Sequence, residues 1–340
     1  MTSQPTNFSD NTGVVAIGRN EGERLRRCLA SLVGQARHIV YVDSGSTDDS
    51  LVIAKSFHVE VVELDKSRPF SAARARNAGA ARLQQLVPSL EFIQFVDGDC
   101  EVMPAWIATA EAVLTAHPEV AIVCGRRSER YLEKSVYNVM CHLEWDTPVG
   151  EAKACGGDAL VRLSAFNAVQ GYREEVIAAE DDEFCLRVRR TGAKIFRIDA
   201  SMTLHDAAMT RFSQWWKRMN RSGFAYANGA HLHGNSPDRH FIRDCRRIWL
   251  WGLIVPLVAL ALVWPTYGWS LTLLLLYPLM LFKIFRYARS RNWPKSHAFI
   301  FAFFTLIAKF PCLVGIFQFH IRRLFKHEVR IIEYKGAETT

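Results

Sequence analysis

Two carboxylates, Asp97 and Asp99, stand one glycine apart at the end of the apolar stretch EFIQFVDGDC, residues 91–100. Acids at this spacing cannot both be buried and ionised without a counter-charge. Three kinds of chemistry fit the pair: a turn cap beside a solvated partner, a site for a hard divalent cation such as Mg²⁺ or Mn²⁺, or general acid–base catalysis. The pair alone does not decide among them.

Other polar clusters stand near the ends of predicted strands. The segment DSGSTDDS, residues 43–50, follows one strand and precedes a helix, where its side chains could also serve only as a helix N-cap. Arg19 and Glu21 follow the first strand, and Arg76 and Asn77 lie in a helix that leads to the same edge. Together with the acidic pair, these clusters predict a site for a charged, hydroxyl-rich ligand.

The elements that position these clusters alternate between strand and helix. Apolar runs predict strands, and helical periodicity predicts the segments between them. The strands are expected at 13–18, 38–43, 59–64, 92–96 and 120–125, and the helices at 21–33, 50–57, 71–86 and 105–116. This alternation predicts right-handed βαβ units and a parallel sheet, in which ligands bind beyond the carboxyl ends of the strands.

Five motifs occur in one order along the chain: VVAIGRNEGERLRRCLASL, VYVDSGSTDDS, ARARNAGA, FVDGDCEV and AAEDDEFCLRVRRTG. In this order they resemble family 2 glycosyltransferases of the GT-A fold, over roughly residues 13–220. The resemblance implies an α/β, Rossmann-like, mostly parallel sheet, which in this chain precedes C-terminal membrane helices. It also implies transfer of a sugar, with inversion, from a nucleotide-diphosphate donor.

The resemblance implies roles for single residues. Asp99 is expected to bind a divalent cation, Mn²⁺ or Mg²⁺, while Asp97 shares the ion or reaches the ribose or sugar. His205 would complete the metal site, although a lone histidine is more often structural. The residues implied for the nucleotide sugar, a UDP- or GDP-sugar, are Arg19, Glu21, Asp43, Ser46, Arg76, Asn77, Asp97 and Asp158.

The acidic motif at residues 178–192 is similar to the family segment that carries the catalytic base. By position, Asp181 would take the proton of the acceptor hydroxyl, with Asp182 as the alternative. An acidic helix N-terminus is also favourable without any catalytic role. Processive synthases carry Gln-x-x-Arg-Trp further on, whereas in this chain Gln214 begins Gln-x-x-x-Arg with no tryptophan after it. We therefore expect transfer of one sugar per encounter.

Residues 248–282 carry no charged side chain, a run that suggests a membrane rather than buried core helices. We predict a helical hairpin at about 248–285 and a re-entrant or interfacial helix at about 298–320, where Lys309 and Pro311 interrupt the apolar pattern. Basic clusters flank the first run, and they favour membrane lipids and a cytoplasmic position over nucleic acid. The predicted domains are a polar tail at 1–12, a glycosyltransferase domain at 13–240, membrane-associated helices at 241–325 and a tail at 326–340.

The compartment is predicted from the cysteines and the N-terminus. The eight cysteines form no CxxC pair, which indicates a reducing environment, and the polar start lacks a signal-peptide core. The catalytic domain is therefore expected in the cytoplasm, at the inner membrane, with a lipid-linked or saccharide acceptor and a role in polysaccharide biosynthesis. The alternatives are a nucleotidyltransferase, which would usually show an early glycine-rich phosphate loop, and a non-catalytic membrane scaffold that retains the fold.

Overall fold

The computed structural model describes residues 10–325, so most of the two predicted tails lies outside the described residues. The chain forms two compact units. The first contains the chain up to Arg130 together with Trp145–Ala207, and the second contains Tyr131–Glu144 and the chain from Ala208. The first unit thus ends before the predicted boundary at residue 240.

The described residues of the first unit form one nine-stranded sheet. In chain order the strands are β1 Thr12–Gly18, β2 His38–Asp43, β3 Glu60–Glu63, β4 Phe92–Asp97, β5 Cys100–Val102, β6 Val120–Glu129, β7 Gly150–Glu151, β8 Ala159–Arg162 and β9 Lys194–His205. Their spatial order is β3-β2-β1-β4-β8-β6-β9-β5, and β7 pairs with β9.

Helices connect strands of the first unit and make up most of the described part of the second. In chain order they are α1 Glu23–Val33, α2 Ser50–Ser56, α3 Ala72–Leu86, α4 Trp106–Ala116, α5 Val136–Trp145, α6 Leu163–Ala168, α7 Glu180–Arg190, α8 Phe212–His233, α9 Ile242–Trp249, α10 Val255–Ala261, α11 Leu276–Ser290, α12 Lys295–Ile307 and α13 Lys309–Leu324. Short 3₁₀ segments cover Leu132–Lys134 and Trp269–Leu275, and a π-helical turn covers Leu250–Ile254.

The sheet is parallel in its first half and mixed in its second. Strands β3, β2, β1 and β4 are parallel, as the βαβ pattern predicts. Strand β8 enters between β4 and β6 and is antiparallel to both. Because Ala159 of β8 lies opposite Phe95 of β4, the loop just before β8 lies beside the carboxyl end of β4. The antiparallel strand therefore brings residues 156–158 to the acidic turn.

The core of the first unit lies on both faces of this sheet. Strands β1 and β2 are buried along almost their whole length, which is why they read in the sequence as continuous apolar runs. Helix α1 buries a stripe at helical spacing, formed by Leu25, Cys28, Leu29 and Leu32. This two-sided packing fixes the strand ends from which the site is built.

In the second unit, α8 packs closely against α13. A Cβ atom added at Gly223 would lie 1.9 Å from the carbonyl oxygen of Cys312, and one added at Gly315 would lie 2.0 Å from that of Asn220. The two backbones therefore touch where each helix carries a glycine. This packing explains why α8 groups with the C-terminal helices in the second unit.

Two helical stretches of the second unit are long and apolar enough to cross a membrane, Trp269–Ser290 with 22 residues and Lys295–Leu324 with 30. The first packs against the preceding stretch, since Ser270 Oγ donates to the carbonyl of Ala259 at 2.7 Å. The second runs on through the predicted interruption. Pro311 lies in the first turn of α13, where its missing N–H breaks few helical hydrogen bonds.

Candidate active site

The acidic turn places its two carboxylates in different surroundings. Asp97 ends β4 with a side chain that is 30% exposed, whereas Asp99 is 5% exposed and precedes β5. The backbone N–H of Gly98 donates to the carbonyl of Ile17 at 2.7 Å, so the end of β1 holds the turn. One carboxylate therefore lies at the edge of the sheet, and the other lies beneath it.

Asp99 lies beside His205, which ends β9. His205 Nε2 is 3.3 Å from Asp99 Oδ2, and its Nδ1 is 3.4 Å from Glu129 Oε2. Glu129 also accepts a hydrogen bond from the N–H of Ala207 at 3.1 Å, and the Trp145 ring lies edge-on, 4.6 Å from the imidazole. A carboxylate behind a histidine fixes the ring, in this case with Nε2 towards Asp99.

The donor set at this point fits a hard divalent cation. Ligand atoms of Asp99, Cys100 and His205 lie within 4.8 Å of one another. Carboxylate oxygen and imidazole nitrogen suit Mn²⁺ or Mg²⁺, whereas thiolate suits softer metals. Burial and the charge of Asp158 raise the pKa of the Cys100 thiol well above its ordinary value. Asp99 and His205 are thus the residues that could hold the cation.

Asp43 organises the loop after β2. It is 1% exposed, and its Oδ2 accepts hydrogen bonds from the N–H groups of Gly45 and Ser46, both at 2.8 Å. Its Oδ1 accepts from the Ser46 hydroxyl at 2.5 Å and from the Tyr41 hydroxyl at 3.1 Å. Both oxygens are therefore engaged by the loop and by Tyr41 of β2, and the role predicted for Asp43 towards the nucleotide sugar stays a prediction.

The loop after β1 is joined to this segment. Ser46 Oγ accepts from the N–H of Asn20 at 3.0 Å, and Ser50 Oγ accepts from the N–H of Glu21 at 3.1 Å. Arg19 is exposed, with its guanidinium 5.5 Å from the centroid of the Phe70 ring, and Glu21 pairs with Arg24 at 2.8 Å. The roles of Arg19, Glu21 and Ser46 towards a nucleotide stay predictions.

Arg76 connects the acidic turn to helix α7. Its guanidinium, 2% exposed, donates to Asp97 Oδ1 at 2.8 Å and to Glu180 Oε1 at 2.7 Å. It also lies over the Tyr172 ring, 5.3 Å from the centroid. Burial opposes its charge, but Asp97 and then Glu180 raise the pKa of Arg76 well above its ordinary value. Arg76 is thus a buried bridge between two carboxylates.

Asn77 holds the backbone of Tyr172. Its Nδ2 donates to the Tyr172 carbonyl at 2.8 Å, and its Oδ1 accepts from the Tyr172 N–H at 2.9 Å. Both ends of the amide are therefore used to seat the ring that covers Arg76. The nucleotide contact predicted for Asn77 stays a prediction.

Asp158 is fully buried, and its predicted contact with sugar hydroxyls stays a prediction. Its Oδ1 accepts from the N–H of Asp97 at 3.0 Å, and its Oδ2 accepts from Thr203 Oγ1 at 2.8 Å and pairs with Arg127 at 2.6 Å. Burial acts to raise the pKa of Asp158, but Arg127 together with the hydrogen bonds from Asp97, Cys100 and Thr203 outweighs burial, and the pKa is lowered. The carboxylate therefore holds the end of β4.

Gly157 must be a glycine for the Arg76–Asp97 pair to lie where it does. A Cβ atom there would lie 2.6 Å from Arg76 Nη2 and 2.7 Å from Asp97 Oδ2. Such distances are well inside ordinary contact, so any side chain would displace the pair. The loop before β8 thus packs its backbone directly on the acidic turn.

Asp181 lies in the first turn of α7, one residue after the carboxylate that pairs with Arg76. A Cβ atom added at Gly156 would lie 3.9 Å from Asp181 Oδ2, so the carboxylate faces a loop position that carries no side chain. Burial and the charge of Glu180 raise the pKa of Asp181 to about 6, while Arg76 lowers it. The group is thus ionised at neutral pH and more basic than an ordinary carboxylate.

Three residues of the site are absent from the predicted set, namely Arg127, Glu129 and Glu180. Arg127 and Glu129 belong to the polar end of an otherwise apolar strand, RRSE, and that change of character was the available signal. Glu180 stands beside Asp181 in the acidic motif. Each contacts the side chain of a predicted site residue: Arg127 pairs with Asp158, Glu129 lies beside His205, and Glu180 pairs with Arg76.

Comparisons with known proteins find similarity to glycosyltransferases. A protein-family model described as "Glycosyl transferase family 2" matches residues 14–157. The chain is 25% identical over 260 residues to the pre-mycofactocin glycosyltransferase of Mycobacterium tuberculosis, covering 68% of this chain and 49% of that protein. It is 27% identical over 215 residues to the succinoglycan biosynthesis protein ExoA of Rhizobium meliloti, covering 61% of this chain and 63% of that one. The matches thus span about half of the first relative's length and less than two thirds of the second's.

A solved structure shares the fold over nearly the whole chain. It is the mannosyltransferase PcManGT from Pyrobaculum calidifontis in complex with GDP-Man and Mn²⁺. The TM-score is 0.59 at 16% identity, with 96% of this chain and 90% of that chain covered. Residues 14–157, which the family model matches, therefore form a glycosyltransferase family 2 domain, and the mixed, mostly parallel sheet has the GT-A fold.

Proposed function

We propose that this chain transfers one sugar from a UDP- or GDP-sugar to an acceptor hydroxyl, with inversion, and that Asp181 is the general base. One observation carries the proposal. Asp181, whose pKa is raised to about 6, directly follows Glu180, and Arg76 joins Glu180 to Asp97 of the acidic turn by two ion pairs. A basic carboxylate next to the residue that Arg76 connects to the proposed donor site suits a direct displacement.

In this displacement the acceptor oxygen attacks the anomeric carbon from the face opposite the diphosphate. Its proton passes to a carboxylate oxygen of Asp181 as the new C–O bond forms. The bond to the diphosphate breaks, and the nucleoside diphosphate leaves with the electron pair. A base of pKa near 6 suits this step because it is ionised at neutral pH yet strong enough to assist proton removal.

The cation is proposed to be Mn²⁺ or Mg²⁺, held by Asp99 and His205, with Asp97 sharing the ion or contacting the sugar. When bound, it would neutralise charge that develops on the departing diphosphate. Support comes from the converging oxygen and nitrogen ligands, and from the presence of Mn²⁺ with GDP-Man in the structure of PcManGT. Arg76 keeps Asp97 oriented, and Glu129 keeps His205 oriented.

The acceptor is proposed to be a lipid-linked saccharide at the cytoplasmic face of the inner membrane. Two apolar helical stretches support membrane attachment, as do the basic residues next to residues 248–282. A place in polysaccharide or glycolipid assembly fits this attachment, and the name of the Rhizobium meliloti relative refers to succinoglycan biosynthesis. We retain residues 241–325 as the proposed membrane-associated part and residues 13–240 as the proposed glycosyltransferase domain.

The test is product release by the detergent-solubilised full chain with Mn²⁺ and a panel of UDP- and GDP-sugars. We expect the nucleoside diphosphate as product. Asp181→Asn should lower turnover by about 10²–10⁴-fold, the usual contribution of a general base, and leave nucleotide affinity within about twofold. Asp182→Asn is the matched control and should keep its turnover.

Three results would overturn the proposal. Full turnover of Asp181→Asn, with loss in Asp182→Asn, would move the base by one residue. Release of pyrophosphate instead of the nucleoside diphosphate would indicate a nucleotidyltransferase. Absence of turnover by well-folded wild-type protein with every donor, without nucleotide binding, would favour the scaffold.

A further inference from the structure

A cavity of about 410 Å³ opens in the second unit, beside the first turns of α9. It is lined by Asp238, Arg239, Ile242, Arg243, Arg246, Arg247 and Leu250. Four positive side chains thus face one negative side chain. Such a lining is suited to a phosphate group, because arginine presents several N–H donors to phosphate oxygens.

The charges of these arginines are not neutralised by neighbouring acids. All four are exposed, and none forms an ion pair with a carboxylate among residues 10–325. Asp244, on the same helix, lies outside the cavity lining. Arg246 and Arg247 follow Arg243 by three and four residues, so both lie on the same side of α9 as Arg243.

The same side of the helix becomes apolar immediately after the cavity. Helix α9, the π-helical turn and α10 form one continuous helical stretch over residues 242–261. Leu250, Ile254 and Leu257 follow the arginines at spacings of four and three residues and are 42%, 46% and 56% exposed. From Leu250 to Leu260 a helix extends about 15 Å, half of a ~30 Å hydrocarbon core.

We propose that this cavity binds the headgroup phosphate of an anionic glycerophospholipid, with one acyl chain lying along Leu250, Ile254 and Leu257. Charge complementarity selects the phosphate, and the apolar side chains match the depth of one leaflet. An acyl chain ends within its own leaflet, which is why a glycerophospholipid fits this surface better than a long isoprenoid chain does. The inference rests on the membrane attachment proposed above and adds a defined lipid site to it.

Native mass spectrometry of the full chain in detergent tests the site, with phosphatidylglycerol as the probe. We expect one tightly retained phosphatidylglycerol and at least tenfold weaker retention of phosphatidylcholine, which carries a balancing positive charge.

The triple variant Arg243→Gln, Arg246→Gln, Arg247→Gln should weaken phosphatidylglycerol binding by about tenfold or more, since each arginine near a lipid surface contributes measurably. The matched control Lys283→Gln, Arg286→Gln, Lys295→Gln removes three exposed charges outside the cavity and should change binding by less than about twofold.

Four outcomes would overturn the inference. Two concern the variants: wild-type affinity for phosphatidylglycerol in the triple variant, or an equal loss of affinity in the control variant. Two concern competition for the bound lipid: its displacement by submillimolar inorganic phosphate, or its displacement by an isoprenoid diphosphate at a lower concentration than unlabelled phosphatidylglycerol requires. The last would assign the cavity to an acceptor lipid instead. Nucleoside diphosphate release, measured on the same preparations, should be unaffected in the triple variant, so failure of the transferase proposal and failure of the lipid site give different results.

Discussion

Asp181 is the residue on which the proposed chemistry depends most. A carboxylate with an ordinary pKa is a weak base, but burial and Glu180 raise the pKa of Asp181 to about 6. Arg76 acts in the opposite direction and keeps the group ionised at neutral pH. The pKa therefore reflects a balance that substitutions can shift in either direction.

The pH dependence of turnover should report this group. Asp181 must be ionised to accept a proton, so kcat/KM should fall about tenfold per pH unit below about 6 and level off above it. The measurement is nucleoside diphosphate release from pH 5 to pH 8 at saturating Mn²⁺. An acidic limb centred near pH 4 would mean that the base has an ordinary carboxylate pKa, contrary to the environment described.

Replacing Arg76 should move the same limb upwards. Arg76→Met removes the positive charge that lowers the pKa of Asp181, so the acidic limb should shift to higher pH. Arg82→Met on the same helix is the control, because Arg82 is 37% exposed and pairs with Glu60 at the surface. If folded Arg76→Met keeps the acidic limb of its pH–rate profile at the wild-type pH, Arg76 does not lower the pKa of Asp181.

Glu129 should govern cation affinity through His205. Glu129→Gln keeps the size of the side chain but removes the carboxylate that orients the imidazole, and we expect about 10–100-fold weaker Mn²⁺ affinity. Glu119→Gln is the matched control, since Glu119 also lies beside a histidine, His117, at an exposed position. The Mn²⁺ concentration giving half-maximal nucleotide binding is the measurement, and equal values for both variants would exclude this role.

At the scale of elements, the first half of the sheet could be predicted from the sequence and the second half only in part. Strands β1, β2 and β4 are buried on both faces and flanked by helices, so each reads as an apolar run between amphipathic segments. Strand β8 has only the four residues Ala159–Arg162 and lies between two strands that are distant in the chain. No local pattern indicates such an insertion.

The same distinction separates the parts of the site. Asp43 and Asp97 could be placed at the sheet edge because strand ends follow from periodicity. The buried positions of Arg76 and Asp158 could not be foreseen, since they depend on Glu180 and Arg127, which tertiary pairing brings near. Polar residues at predicted strand ends therefore marked the right region but did not distinguish ligand-facing groups from supporting ones.

The contact of α8 with α13 should be intolerant of even a methyl group. Gly223→Ala places a Cβ atom 1.9 Å from the Cys312 carbonyl oxygen, so the helices must separate, at a cost of about 1–3 kcal/mol. The apparent Tm should fall by about 2–4 °C per kcal/mol. Gly34→Ala is the control, because its Cβ meets no atom within 4 Å. Equal melting of the two variants would contradict the close packing.

At the scale of the whole molecule, the two units carry different features. All proposed donor-binding, cation-binding and catalytic residues belong to the first unit, whereas the apolar helical stretches and the arginine-lined cavity belong to the second. Substitutions of the site residues in the first unit should therefore affect nucleotide binding and turnover. Substitutions of the cavity arginines in the second unit should affect lipid binding. This separation allows each proposal to be tested on the intact protein.

Calorimetric titration of the detergent-solubilised full chain with UDP and GDP, with and without Mn²⁺, tests the donor site most directly. We expect one of the two nucleotides to bind in the presence of Mn²⁺, and Asp99→Asn to abolish the dependence on the metal because it removes the buried ligand beside His205. Metal-independent binding that Asp99→Asn leaves unchanged, or no binding of either nucleotide by well-folded protein, would contradict a cation-assisted donor site at the acidic turn.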